Sequence, residues 1–473
     1  MNKFTMVING QQSQSTQYCD VINPATGEVF AQYQQGSVDD LNRAVASAKS
    51  AFKSWSQTSS AERKAKMLAL ASALEANMPE LMALITQETG KPMGGLNNVG
   101  SGMEVGGSIA WTQMTAELEL AVDVVQDNDD ARIEVHRKPL GVVGSITPWN
   151  WPLMIAIWHI IPALRTGNTV VIKPSELTPL STLRFVELAN EILPAGVLNI
   201  VTGEGDVGHA LTTHKDVSKI IFTGSTPTGK NIMSSSACNL KRLTLELGGN
   251  DAGIVLADVD VKSTANQLFA ACFHNNGQTC AALKRLYVHE SIYEEICQEM
   301  AILAKQVTVG NGLEEGVELG PIQNAKQLQI VVDLAEDAKA CGGRFLAGGN
   351  KIAGEGYFFE PTIVADLTDG CRLVDEEPFG PIVPIIKYSD VDAVIDVANE
   401  NDAGLGGSIW SADVAKATEL AKRMECGSVW INTHGAIQPN APFGGIKQSG
   451  FGVEFGLYGL EEYTSIQTLR IPK

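Results

Sequence analysis

The spacing of apolar positions changes along the chain, and the changes divide it. From Ser37 to Met82 the spacing is helical. Leu41, Val45, Ala48 and Phe52 share one face, Val38-Asp39-Asp40 reads as a helix start, and Pro79 stands near the start of the next helix. From Gly141 to Gly248 the pattern turns into short β-branched runs. These are Val142-Val143, Thr169 to Ile172, Val197 to Val201, Lys219 to Phe222 and Leu243 to Leu245, separated by helical stretches such as Ser181 to Leu193. Near-continuously apolar strands alternating with helices predict a parallel sheet covered on both faces. A second α/β region follows, from Gly249 to about Lys447.

Two segments interrupt this order. Leu118 to Val125 and Arg132 to Arg137 are strand-like and joined by the turn-rich Asp127-Asn128-Asp129-Asp130, and Glu462 to Ile471 also reads as extended. Such excursions either complete a sheet with another subunit or fold back as a local flap. The most apolar stretch, Trp149 to Leu164, is broken by Pro152, His159 and Pro162. It is too short to span a bilayer and predicts a buried helix.

A chain of 473 residues points to about two or three domains. With 44% hydrophobic residues it can build sizeable cores, which argues against wholesale disorder. The formal net charge of −19 makes a surface that repels phosphate, so neither nucleic acid nor an anionic membrane is an expected partner. No apolar leader with a small-residue cleavage site is evident, and a cytoplasmic location is expected. None of the eight cysteines forms a Cys-x-x-Cys pair or stands by a histidine cluster. Reduced thiols and no metal site are therefore expected. Most such thiols are packing residues, so a catalytic one must be singled out by its local sequence.

Five short motifs carry candidate chemistry. Phe222-Thr223-Gly224-Ser225-Thr226-Pro227-Thr228-Gly229-Lys230 joins a strand to a helix, and such a glycine turn can offer backbone N–H groups to a phosphate. Thr226 stands where the dinucleotide fingerprint has its middle glycine, and plain turn chemistry explains the motif equally well. Lys173-Pro174-Ser175-Glu176 ends another strand, where ligands of parallel sheets gather. Lys173 can donate to ribose hydroxyls and Glu176 can accept from them; in isolation a solvated strand end explains both. Asn275-Asn276-Gly277-Gln278-Thr279-Cys280 breaks a helical run at a turn and sets Cys280 on a loop, unlike Cys272 on the apolar helix face. Leu245-Glu246-Leu247-Gly248-Gly249 puts a carboxylate between leucines at a strand end. Desolvation there raises its pKa towards that of a base working near neutrality, or backbone N–H groups hold it. Asn150, between Trp149 and Trp151, needs a partner if buried; its amide either faces a developing oxyanion or ties down its loop.

Together these residues resemble the aldehyde dehydrogenase superfamily over essentially the whole chain. Seven motifs occur in the family's order: Pro-Trp-Asn-Trp-Pro with Asn150, Lys-Pro-Ser-Glu with Lys173 and Glu176, Phe-Thr-Gly-Ser-Thr with Gly224 and Ser225, Leu-Glu-Leu-Gly-Gly with Glu246, Asn-x-Gly-Gln-x-Cys with Cys280, Glu-Glu-Pro-Phe-Gly-Pro with Glu377 and Phe379, and Pro-Phe-Gly-Gly-Ile-Lys-Gln-Ser-Gly from Pro442.

The resemblance implies an α/β fold: a Rossmann-like NAD(P)-binding domain (1–114 and 138–248), an α/β catalytic domain (249–447) and a small β oligomerisation element (115–137 and 460–473) in a homodimer or homotetramer. It implies that the Cys280 thiolate attacks an aldehyde, with the oxyanion held by the Asn150 amide and the Cys280 N–H. Hydride then passes to NAD, or to NADP, and Glu246 activates the water that hydrolyses the thioester. Trp149, Lys173, Glu176, Gly224, Ser225, Glu377 and Phe379 are the implied cofactor residues, with Glu377 on the nicotinamide ribose and Phe379 packed nearby. Glu246 favours hydrolysis over transfer to coenzyme A. Glu176 favours NAD by repelling a 2′-phosphate, although relatives with this motif use either.

Trp151, Met154, Trp158, Thr279, Ile437 and Phe443 are the implied aldehyde channel, which suits an aliphatic or aromatic substrate. The loop from Asn432 to Pro439 has no arginine, which counts against a carboxylate-bearing aldehyde, although Arg165 lies on a nearby helix. Lys284 departs from the small residue expected four positions after Cys280; it either perturbs the loop or is solvated. The alternatives are a CoA-acylating or NADP-preferring semialdehyde dehydrogenase, and a silent binding relative, which retention of Asn150, Glu246 and Cys280 together disfavours.

Overall fold

A computed structural model describes residues 2–473. The helical stretch near the N-terminus resolves into three helices, α1 (Val38–Trp55), α2 (Ser60–Ala76) and α3 (Met78–Thr89). Ser37 and Asp40 start α1 with a reciprocal capping box, which satisfies two otherwise orphaned N–H groups. Pro79 falls in the first turn of α3, where its missing N–H costs nothing. A further helix, α4 (Ser101–Glu117), packs against α2 and α5 (Pro152–Arg165).

The first sheet has five parallel strands in the order Leu198–Ile200, Thr169–Lys173, Val142–Ile146, Lys219–Thr223, Arg242–Glu246, with Gly450–Phe451 antiparallel at the edge. Most of its strand residues are buried, as continuous apolar runs require when helices cover both faces. Helices α5, α6 (Leu180–Asn190), α7 (Gly205–Thr213) and α8 (Thr226–Ser236) alternate with the strands. Every residue of α5 except Pro162 is buried, so the apolar stretch is a core helix. No single helix among the described residues is long and apolar enough to cross a membrane.

The second sheet has seven strands, in the order Arg344–Ala347, Thr362–Ala365, Ile382–Tyr388, Leu283–His289, Asp251–Val255, Gly406–Trp410, Ser428–Ile431. Only the first is antiparallel to its neighbour. Helix α9 (Val261–Phe273) leads from the strand Asp251–Val255 to the turn before Cys280.

The interrupting segments meet each other. Thr464–Pro472 pairs antiparallel along the whole of Ala131–Pro139, which pairs in turn with Asp123–Asp127. The expected strand from Leu118 is shorter than its β-propensity suggests: α4 runs to Glu117, and pairing begins only at Asp123. Val124, Val125, Ile466 and Ile471 leave this small sheet exposed to solvent.

Candidate active site

Chain reversal in the first sheet creates the first half of the site. The strand Val142–Ile146 lies between Thr169–Lys173 and Lys219–Thr223, so the connections on its two sides run in opposite directions. At such a switch point the loops beyond the strand C-termini part and leave a crevice. A groove of about 740 Å³ opens there, lined by Thr147, Trp149, Lys173, Glu176, Gly224 and Ser225 among others. The expected residues from three separate strand ends thus share one wall. The buried Lys173 ammonium stands 3.5 Å from the Glu176 carboxylate, which is half exposed to the groove. Glu204, Gly208 and His209 also line it. No sequence motif marks them, because α7, which carries the latter two, shows only ordinary amphipathicity.

Glu246 ends its strand beside Thr223 on one side and Gly450 on the other. The chain therefore closes over it from both flanks, and neither carboxylate oxygen has a hydrogen-bond partner among the described residues. Burial, followed by the charges of Glu454 and Glu462, holds this carboxyl well above the ordinary carboxylate range. The alternative of a backbone-bonded glutamate is thereby removed.

Cys280 is presented by a strained turn. Asn275, Asn276 and Gly277 all adopt positive φ, at 50, 57 and 71°. Asparagine tolerates that region, but at Gly277 a Cβ would also collide with the Gly380 carbonyl, so only glycine fits. The turn reverses the chain out of α9 and leaves the Cys280 side chain on the wall of an apolar cavity of about 650 Å³. Trp151, Met154, Trp158, Thr279 and Ile437 line that cavity as expected, joined by Met103 and Trp111 from α4. Phe443 does not reach the wall; it packs in a cluster with Cys280, Ile437 and Phe455. No lysine or arginine lines the cavity. Arg165 turns elsewhere, donating to the Ala116 carbonyl at 3.0 Å and to Ser60. Burial pushes the Cys280 thiol up to about 12, with Lys284 opposing and Glu377, Glu246 and Asp251 adding to the rise.

Asn150 reaches the same loop. Its amide donates to the Gln278 carbonyl at 2.9 Å, and Trp151 Nε1 donates to Thr279 Oγ1 at 3.0 Å. A buried support for this contact carries no motif. Lys91 Nζ donates to the Asn150 carbonyl at 2.8 Å and to Glu104 at 2.5 Å. Glu104 in turn accepts from the N–H groups of Leu153 and Met154 at the start of α5.

A run of contacts links the groove to the thiol. Trp149, on the groove wall, meets the edge of Phe379 with ring centroids 5.3 Å apart. Lys284 Nζ lies 5.7 Å from the Phe379 ring, pairs with Glu377 at 2.8 Å and donates to the Cys280 carbonyl. Lys284 is thus buried, contrary to a solvated reading. Glu377 and Phe379 sit between the two concavities rather than on the groove wall.

Elsewhere, Asp337, Cys341 and Cys371 bring a carboxylate oxygen and two sulfurs within 4.8 Å of one another. Linear spacing does not announce this cluster, because Asp337 lies in the last turn of the helix Ala325–Ala340, Cys341 just follows it, and Cys371 precedes a separate short helix, Arg372–Asp375.

The Aldehyde dehydrogenase family model matches residues 11–469. The phenylacetaldehyde dehydrogenase of Pseudomonas fluorescens is 42% identical over 98% of this chain and 95% of its own length. The chloroplastic betaine aldehyde dehydrogenase of Beta vulgaris is 38% identical over 94% of this chain and 91% of its own. An aldehyde dehydrogenase from Bacillus cereus, solved as an NAD+ complex, superposes with a TM-score of 0.96 at 35% identity, covering 100% of this chain and 97% of that one. The chain therefore belongs to the aldehyde dehydrogenase family of oxidoreductases.

Proposed function

We propose that the chain oxidises an apolar aldehyde to the carboxylic acid, with Cys280 as nucleophile, Glu246 as general base and NAD as hydride acceptor. The observation that carries this reading is the setting of one sulfur. Alone of the eight cysteines, Cys280 lines the apolar cavity, and a buried carboxylate without a partner lies within its electrostatic reach.

The residues present fit a nicotinamide dinucleotide. The crevice is at the switch point, an eleven-residue helix begins just after Ser225 on its wall, and Lys173 with Glu176 offers donor and acceptor for a ribose diol. The Glu176 carboxylate disfavours a 2′-phosphate, which supports NAD over NADP. The Bacillus cereus relative was solved with NAD+, which agrees.

Cys280 Sγ, as thiolate, bonds to the aldehyde carbon, and the carbonyl oxygen becomes an alkoxide. The Asn150 amide and the Cys280 N–H serve as its donors. A bound nicotinamide supplies the hydride acceptor that turns this adduct into a thioester. Glu246 then takes a proton from water, whose oxygen attacks the thioester carbon, and the acid leaves as the thiolate is restored. The high affinity of Glu246 for its proton suits that task. Retention of this base favours a free acid over acyl transfer to coenzyme A.

The aromatic cavity without a lysine or arginine favours an apolar or aromatic substrate over a carboxylate-bearing one. The Pseudomonas fluorescens relative is named for phenylacetaldehyde. Exposed Val124, Val125, Ile466 and Ile471 support the small sheet as a subunit contact in a homodimer or homotetramer.

The test is stopped-flow NADH absorbance with phenylacetaldehyde, hexanal and succinic semialdehyde. Glu246→Gln should give a burst of about one NADH per site followed by slow turnover, and Cys280→Ser no burst. Steady turnover by Cys280→Ser, or preference for the charged aldehyde, would overturn the reading.

A further inference from the structure

Lys284 stands at the junction of the nucleophile loop and the strand Leu283–His289, and its side chain is 3% exposed. An ammonium is held at such a depth only by strong partners. Its anion is Glu377, at 2.8 Å, and its neutral acceptor is the Cys280 carbonyl. Both the ammonium and the Gly249 N–H, at 3.2 Å, engage the same oxygen of Glu377, Oε1. The other oxygen, Oε2, has no protein donor among the described hydrogen bonds. It is packed so closely on Gly248 that a Cβ there would collide with it.

We propose that Lys284 is a positioning residue that couples the nucleophile to the cofactor clamp. It fixes the Cys280 carbonyl, and so the conformation of the loop, while orienting the Glu377 carboxylate with Oε2 free for a ribose hydroxyl. The same ammonium offsets the Glu377 charge beside the thiol. This deepens the proposed function and rests on Cys280 being the nucleophile and Glu377 the ribose acceptor.

Removing the cation alters both ends of the link. Besides Lys284, the charged or titratable groups around Cys280 are Glu377 from the loop before Ile382–Tyr388, Glu246 from the first sheet, and Asp251 from the neighbouring strand; His274 and His434 lie in the cavity wall. Without Lys284 all three carboxylates oppose ionisation of the thiol. Without Glu377 the ammonium is unopposed at close range.

The experiment follows iodoacetamide alkylation of the full-length, cofactor-free protein against pH, with peptide mapping of the modified cysteine. Tryptophan quenching gives the Kd of NAD in parallel. Lys284→Met should shift the Cys280 profile upward by about one pH unit, which is about ten-fold slower alkylation at fixed pH. It should also weaken NAD several-fold, and Lys284→Arg should recover most of the alkylation shift. Glu377→Gln should move alkylation the opposite way while also weakening NAD. It serves as the test should Lys284→Met fail to fold.

In the double variant the loss of NAD affinity should not exceed that of Glu377→Gln. An unmoved profile in Lys284→Met, or in Glu377→Gln, or additive losses of NAD affinity, would overturn the coupling. If the mapped cysteine is not Cys280, the nucleophile assignment itself fails, and the two failures are thereby distinguished.

Discussion

Replacing Lys91 by methionine removes the cation of a buried pair that supports the Asn150 loop from behind. Lys91 and Glu104 are 1% and 0% exposed and stand 2.5 Å apart. The ammonium also lies 3.4 Å from the Trp151 ring centroid and donates to the Asn150 carbonyl. Burial pulls Lys91 down to about 8, so it remains charged at pH 7. Methionine preserves much of the volume but leaves the Glu104 carboxylate with only the Leu153 and Met154 N–H groups. Removing one partner of a buried pair costs about 3–5 kcal/mol. At about 2 °C per kcal/mol this lowers Tm by about 6–10 °C. Loss of the Asn150 contact should also lower kcat/KM by about 10- to 100-fold, because a displacement near 1 Å misplaces the oxyanion donor. Lys91→Met/Glu104→Gln, which leaves no bare charge, should recover several degrees. Scanning calorimetry and NADH absorbance read the two effects. A Lys91→Met variant within about 1 °C of the parent, or a double variant less stable than the single, would refute the argument.

Asn150→Ala should reduce kcat by about 10²–10³ with little change in the Kd of NAD, measured by steady-state kinetics and fluorescence titration. The Glu246 carboxyl is held well above the ordinary carboxylate range by burial, so thioester hydrolysis should keep rising with pH beyond the range where an ordinary carboxylate is fully ionised, and single-turnover acid release in Glu246→Gln should lose that limb. Glu454, pushed by burial from 4.5 to about 8, contributes stability in full below about 4.5 and loses it as pH rises through about 8. The Tm of the parent should therefore fall relative to Glu454→Gln between those limits. Gly277→Ala, at φ 71° and against the Gly380 carbonyl, should cost more than the about 1–2 kcal/mol of left-handed strain alone, seen as a lower Tm and slower alkylation of Cys280.

The parallel strands were legible because a sheet covered on both faces must be apolar along its whole length, as Thr169 to Ile172 and Lys219 to Phe222 are. The turn before Cys280 was legible because Asn-Asn-Gly is chemistry for positive φ, and it separated this thiol from Cys272 on the helix face. The motifs at the strand ends marked the groove for the same reason: local composition reports local backbone.

Pairings across long stretches of sequence were decided only in three dimensions. Thr464 finds Pro139, Gly450 pairs with the strand end at Glu246, Lys91 bridges Glu104 and the Asn150 carbonyl, and Lys284 joins Cys280 to Glu377. A lysine or glutamate outside a marked strand end, such as Lys91 or Glu104, reads in sequence as a solvated side chain. Its meaning changes once the fold takes away its water, because a charge that cannot reach solvent must find its counterpart in another segment, and periodicity holds no record of which one.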